Sequence, residues 1–185
     1  MKKYILIAGV NGAGKSTLYQ TLTALADMPR INTDEIVRSF GDWRNASDVV
    51  KAGKIAVKRI NEYLTKGITF NQETTLCGTS IIQNINKAKS LGYCIELHYV
   101  SVDTVEIAKE RIAYRVSQGG HGIPDVDVER RYIESYKQLK EILGICDMAI
   151  LYDNTDVFKR FAVFKDGELC NLADDSPRWF TLLEL

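Results

Sequence analysis

Residues 9–17 read GVNGAGKST. Gly9, four residues, Gly14, Lys15 and Ser16 keep the spacing G-x-x-x-x-G-K-[ST]. In that pattern glycines let the backbone wrap close to phosphate oxygens with its N–H groups turned inward. A helix starting at Lys15 adds the positive end of its dipole. The Lys15 ammonium has the reach for β- and γ-phosphates, and the Ser16 hydroxyl is a hard oxygen ligand for Mg²⁺. Gly9, Asn11, Gly12, Ala13, Gly14, Lys15, Ser16 and Thr17 are therefore the candidate nucleotide contacts.

What such a cradle does depends on its companions. A base-reading N-K-x-D motif is absent, which argues against a GTPase switch. The transporter signature L-S-G-G-Q is absent too; SQGGH at 117–121 holds similar letters in another order. A phosphotransferase acting on a small molecule needs a base for the acceptor, an acid near the metal and a mobile set of arginines. INTDEI offers Asp34 as the base, just past a second strand, with Glu35 as the second choice. The alternative is that Asp34 only caps the next short helix. FNQETT ends a third strand with Glu73, a candidate for metal or acceptor, or else the holder of a structural hydrogen bond. Asn32, Thr74 and Thr75 on the same strand ends are candidate acceptor contacts.

The arginines fall in residues 110–132, ERIAYRVSQGGHGIPDVDVERRY. Arg111 and Arg115 share a helix face. A glycine-rich break, stopped by Pro124, separates them from Arg130 and Arg131. Residues of about 111–131 are expected to form a lid that clamps transferring phosphate, the alternative being a solvated charged surface. Arg130 and Arg131 point roughly 100° apart on a helix, so only one serves the site. Arg130 lies nearly opposite the apolar stripe of Tyr132, Tyr136 and Leu139, which favours Arg131.

The elements that position these groups are legible as alternating patterns. YILIAGV is a continuous β-prone run, as a strand covered on both faces should be. Leu18, Leu22 and Leu25 mark a helix from Lys15 to about Ala26. RINTD is a short strand. A long helix is expected from an N-cap at Ser47 to Lys66, closed by Gly67. ITFNQETT, YCIELHYVSV and DMAILYD are the remaining strands, with helices around Ile81–Leu91, after the capping-box-like Asp103–Glu106, and around Tyr132–Leu143. RFAVFKDGELCNL, about residues 159–172, reads as a hairpin on its Asp-Gly. The expected fold is α/β: a three-layer α/β/α domain spanning 1–185, with a five-stranded parallel sheet, an arginine-rich helical lid and a C-terminal β-hairpin.

The bulk properties bound the reading. The chain has 185 residues, 45% of them apolar, which suits one core. Lys+Arg and Asp+Glu both number 24, so the formal charge is zero and no nucleic-acid partner is implied. Cys77, Cys94, Cys146 and Cys170 form no C-x-x-C pair and sit apart from His98 and His121. Neither a zinc site nor a disulfide framework is expected, and the thiols read as reduced in a cytoplasmic protein. The start has no signal-peptide pattern, and no stretch approaches a membrane span. His98 is expected in the core. Trp43 and Trp179 are expected to pack, with base stacking the alternative, and His121 to be loop chemistry beside the lid.

Together, GVNGAGKST, INTDEI, the long helix before FNQETT, and RVSQGGHGIP with ERRY resemble the zeta-toxin family of bacterial P-loop kinases in its short, stand-alone branch. The resemblance runs over residues 3 to 155. It implies an ATP- and Mg²⁺-dependent kinase acting on a sugar hydroxyl of UDP-N-acetylglucosamine, and it admits an antitoxin protein as a partner. By motif, Lys15 and Ser16 hold phosphate and metal, Asp34 is the base, and Glu73 lies in the metal or acceptor site. Arg115 and one arginine of Arg130 and Arg131 stabilise the moving phosphoryl group; separately, Arg111 and Asn154 are candidates for the nucleotide side. The chain is shorter than the larger toxins and lacks segments of their sugar-nucleotide pocket. A metabolite or antibiotic acceptor, as in chloramphenicol phosphotransferase, stays open. The non-enzyme alternative is a regulatory module that holds ATP; Asp34 and the arginine-flanked hinge argue against it.

Overall fold

The computed structural model describes residues 1–183, a chain of alternating strands and helices. β1 (Lys3–Gly9) runs through the glycine-rich loop into α1 (Lys15–Thr21). A 3₁₀ turn (Thr23–Leu25), β2 (Arg30–Ile31), α2 (Thr33–Arg38) and α3 (Ala46–Lys66) follow. Next come β3 (Phe70–Thr74), α4 (Ser80–Ser90), β4 (Cys94–Ser101), α5 (Val105–Ser117), α6 (Asp125–Leu143) and β5 (Met148–Asp153). The tail forms β6 (Lys159–Lys165), β7 (Glu168–Leu172) and α7 (Arg178–Thr181).

The strands lie in the order β2-β3-β1-β4-β5-β6-β7. The first five are mutually parallel, and β6 and β7 are antiparallel. The five-stranded parallel sheet and the hairpin thus join into one seven-stranded sheet. Asp166 and Gly167, at φ 51° and 83°, make the tight turn that Asp-Gly favours. Docked on β5, the hairpin covers an edge that would otherwise offer unpaired backbone groups.

Register decides what each face sees. Tyr4, Phe70 and Ile95 share one face; Ile5, Asn71 and Glu96 share the other. On the first, Tyr63 of α3 packs against Phe70 at 5.4 Å, and the Tyr99 and Ser135 hydroxyls, β4 to α6, meet at 2.9 Å. On the second, Tyr19 of α1 stacks under Arg30. Trp179 is fully buried among Tyr99, Tyr136 and Phe161, and its Nε1 donates to Asp153 at 3.0 Å. It is a packing residue, as is the buried His98.

Three local expectations need correction. α1 stops at Thr21 rather than near Ala26, where the Thr21 hydroxyl donates back to the Leu18 carbonyl and Leu22 leaves helical geometry. The N-cap of α3 is Asn45, not Ser47; its Oδ1 accepts from the Ser47 N–H. The cap of α5 is Thr104, which accepts from Ile107 N, so Asp103 is left to hold the Trp179 N–H. At both N-caps the better-placed oxygen lies one or two residues from the one expected. Gly67 closes α3 at φ 67°, as its position suggests.

Candidate active site

Gly9, Gly12 and Gly14 all take positive φ. A Cβ at Gly9 would fall 1.9 Å from the Val100 carbonyl oxygen of β4, and one at Gly14 would fall 2.7 Å from the Asn154 amide nitrogen. Only glycine allows that conformation together with that approach. Gly14 is the N-cap of α1, with no side chain bonded to the first-turn N–H groups and no acidic residue there. Those donors are what a phosphate oxygen satisfies. Ser16 and Thr17 lie exposed on the same turn, and Ala13 is buried behind it. The Lys15 Nζ folds over the loop and donates to the Gly9 and Val10 carbonyls at 3.0 and 3.1 Å. Burial lowers the Lys15 pKa, and the Glu73 and Asp34 carboxylates work against that shift.

The acidic side is built from β2, α2 and β3. Asn32 is the cap of α2: its Oδ1 accepts from the N–H groups of Asp34 and Glu35, at 2.9 and 3.4 Å. Asp34 is therefore not the capping residue. Its carboxylate makes no hydrogen bond or ion pair among the described residues. The other half of the Asn32 amide donates to Glu73 Oε2 at 2.9 Å, so the whole side chain is committed within the protein. Glu73 Oε2 also takes Arg30 at 2.6 Å, and Glu73 Oε1 accepts from the Ser16 hydroxyl at 3.3 Å. Glu73 therefore carries structural bonds and still faces the loop. Thr74 Oγ1 accepts from the Leu76 N–H and supports a non-glycine residue at φ 56°. Thr75 sits half-buried beside it, its carbonyl accepting from Cys77.

The arginines of residues 111–131 divide as the helix geometry requires. Arg130 is exposed and closes on Asp127 and Glu134, at 2.9 and 3.0 Å, one turn either side. Arg131 is half-buried, makes no ion pair among the described residues, and its charge acts on His121. Burial lowers the Arg115 pKa while Asp34 and Glu73 oppose it. Lys15, Asp34, Glu73 and Arg115 thus lie within electrostatic reach of one another from four separate segments, and Arg131 is linked to them through His121. On the far side of the loop, Asn154 Nδ2 donates to the Ala13 carbonyl at 2.8 Å. Arg111 Nη2 donates to Thr155 O at 2.9 Å, and its Nη1 is buried without a partner. The Asn11 Oδ1 is likewise buried and unpartnered. Unmet polar groups flanking the loop are what a nucleotide would use.

Sequence reasoning missed Arg30 and Arg38 and read His121 only as loop chemistry. Arg30 bridges Glu35 and Glu73 and stacks on Tyr19 at 3.7 Å. Arg38, one helical turn beyond Asp34, acts on both Arg115 and His121. His121 packs on Trp43 at 4.7 Å, bringing the loop between α5 and α6 onto the loop between α2 and α3. Burial lowers the His121 pKa, with Asp34 opposing and the three arginines reinforcing the shift. The spacing of Asp34 and Arg38, four residues apart, was the one available signal. Among the described residues no group of three or more His, Cys, Asp or Glu could hold a metal, and all four cysteines are free thiols. The adjacent Ser16 and Glu73 oxygens fit Mg²⁺ instead, which takes few protein ligands and completes its shell with phosphate and water. No helix among the described residues is long and apolar enough to cross a membrane.

Comparison with known proteins gives the same architecture. A family model described as an AAA domain matches residues 5–141. An uncharacterized protein of Haemophilus influenzae is 35% identical over 130 residues, covering 70% of this chain and 92% of that protein. The AvrRxo1-ORF1:-ORF2 complex with ATP superposes with TM-score 0.73 at 15% identity, over 100% of this chain and 63% of that chain. This chain therefore spans less than two thirds of that one. The PezAT toxin-antitoxin system of Streptococcus pneumoniae superposes with TM-score 0.60 at 18% identity, over 83% of this chain and 69% of that one. With its phosphate cradle, its open parallel sheet and a match running from β1 to α6, the chain belongs to the AAA domain family and has the P-loop kinase-like fold.

Proposed function

We propose that this protein is an ATP-dependent kinase that moves the γ-phosphoryl group to a hydroxyl of a small molecule. UDP-N-acetylglucosamine is the first acceptor to try. The observation that carries the reading is Asp34: a carboxylate freed from capping by Asn32, uncommitted among the described residues, and electrostatically coupled to Lys15 and Arg115. A bare nucleotide-holding module has no need of such a group beside its phosphate lysine.

In this mechanism the acceptor oxygen attacks the γ-phosphorus while Asp34 takes the hydroxyl proton. The bond from that phosphorus to the β-phosphate oxygen breaks, and ADP leaves. Lys15 would leave its two carbonyl partners for the β- and γ-phosphates. Arg115 and Arg131 would meet the charge on the equatorial oxygens as the lid closes, and Arg111 and Asn154 would flank the nucleotide. Mg²⁺, held by Ser16 with Glu73 close by, would neutralise phosphate charge. The zeta-toxin-like motif set and the shared fold with the PezAT structure support a toxin-type kinase, with a protein partner as a corollary. The AvrRxo1 chain's additional length leaves its own acceptor chemistry with that protein.

The test is ADP release by purified protein with ATP and Mg²⁺ across UDP-sugars, chloramphenicol and simple sugars, with mass spectrometry of each acceptor. One added phosphoryl group on a hydroxyl compound supports the reading. ATP binding without turnover on any acceptor, unaltered by Asp34→Asn, would return the protein to a regulatory module.

A further inference from the structure

Beside the catalytic residues lies a pocket that the phosphotransferase reading does not use. Arg30, Asn32, Glu35, Ile36, Ser39 and Arg59 line it, between the β2 edge, α2 and α3, with a volume of about 140 Å³. Whole small-molecule sites run to roughly 300–1,000 Å³, so this is the size of a subsite. Its polar lining is one carboxylate, one amide, one hydroxyl and two guanidinium groups. Arg30 is committed to Glu35 and Glu73, at 2.6 Å each. Arg59, on the exposed side of α3, makes no hydrogen bond or ion pair among the described residues; its charge acts on Glu62 one turn on, and within the pocket lining its guanidinium has no bonded partner.

A second observation concerns hydrogen bonds. Arg30 and Asn71 are partners across β2 and β3. The Arg30 Nε and both amide atoms of Asn71 are buried without a partner. Unmet buried polar groups are costly; of these, Arg30 belongs to the pocket lining and Asn71 is its neighbour on the adjoining strand. The pocket also reports to the reaction centre. Asn32 lines it and caps the helix of Asp34, while Arg30 lines it and holds the glutamate that meets Ser16.

Resting on the kinase reading, we propose that this pocket binds a phosphate group carried by the acceptor, with Arg59 as its reading residue and Arg30 as its wall. A guanidinium fork matches phosphate oxygens, and Glu35 and Ser39 suit neighbouring hydroxyls of the same molecule. The acceptor class is then a phosphorylated polyol or sugar, free or as a sugar nucleotide. A bare sugar or a neutral antibiotic leaves Arg59 unmatched.

Equilibrium dialysis of labelled inorganic phosphate tests this, with the P-loop first saturated by Mg²⁺ and a non-hydrolysable ATP analogue. Wild type should retain one phosphate. Arg59→Gln should weaken it by about tenfold or more while the analogue binds as before. Lys15→Met, assayed without analogue, should keep the phosphate at this pocket. Absence of bound phosphate in the saturated wild type, equal retention by Arg59→Gln, or tighter retention of malate than of phosphate would each overturn the proposal. Failure of the kinase reading shows separately, as analogue binding or ADP release that never occurs, and leaves the dialysis result standing.

Discussion

Asn32 Nδ2 donates to Glu73 Oε2 across 2.9 Å, while Asn32 Oδ1 receives the N–H groups of Asp34 and Glu35. One amide therefore caps α2 and ties it to the end of β3, 41 residues on. Asn32→Ala should cost about 1–2 kcal/mol, from a lost cap and a lost bond to a charged group. Chemical denaturation reads it directly. A midpoint unchanged from wild type would mean that neither bond contributes.

Asp34→Asn should behave in the opposite way. The cap remains, so stability should stay within roughly 0.5 kcal/mol of wild type. Turnover with the true acceptor should fall by about 10²–10⁴-fold, the usual contribution of a general base, with ATP affinity preserved. Wild-type turnover in this variant would remove Asp34 from the chemistry.

Lys15→Ala removes the ammonium folded over the loop. Calorimetry should show ATP affinity lower by about tenfold or more, since a charged hydrogen bond contributes on the order of 1.5–3 kcal/mol. Equal affinities would sink the phosphate assignment.

Adjacent arginines should separate cleanly. Arg131→Ala and Arg115→Ala should lower kcat more than they weaken ATP binding, because their contacts form on lid closure. Arg130→Ala should leave kcat intact, since that side chain is spent on Asp127 and Glu134. A larger kcat loss for Arg130 than for Arg131 would reverse the orientation of α6.

Away from the site, Glu96 bonds His98 at 2.9 Å and Lys3 at 2.8 Å. The His98 bond first, then Lys3, pull its pKa down to about 2 against the opposing effect of burial. The folded value lies below the unfolded one, so the stability is present above the ordinary glutamate range and drains as pH falls through it toward 2. After screening at this partly exposed site it amounts to about 1–2 kcal/mol. Urea melts of Glu96→Gln should show that loss at pH 7 and a shallower decline toward pH 3. An acid limb parallel to wild type would exclude the linkage.

The phosphate cradle was legible in nine consecutive residues because its geometry is local: glycine conformations, a helix start and a lysine within reach. The alternation of strands and helices was equally local, since periodicity records which faces are covered. That Arg130 and Arg131 face different ways followed from helix geometry alone. What the sequence by itself determined is therefore a P-loop α/β chain with a carboxylate after its second strand and arginines around a hinge. Helix caps slipped by one or two residues, because neighbouring Ser, Thr, Asn and Asp compete for the same N–H groups. The hairpin's place on β5 and the partnership of Arg30 with Glu73, 43 residues apart, had no local trace. Neither did the packing of Trp43 on His121, nor the pocket that Arg59 lines. Only the tertiary structure decided these. They depend on strand order and register, which bring distant side chains to one edge of the sheet without leaving a spacing in the chain.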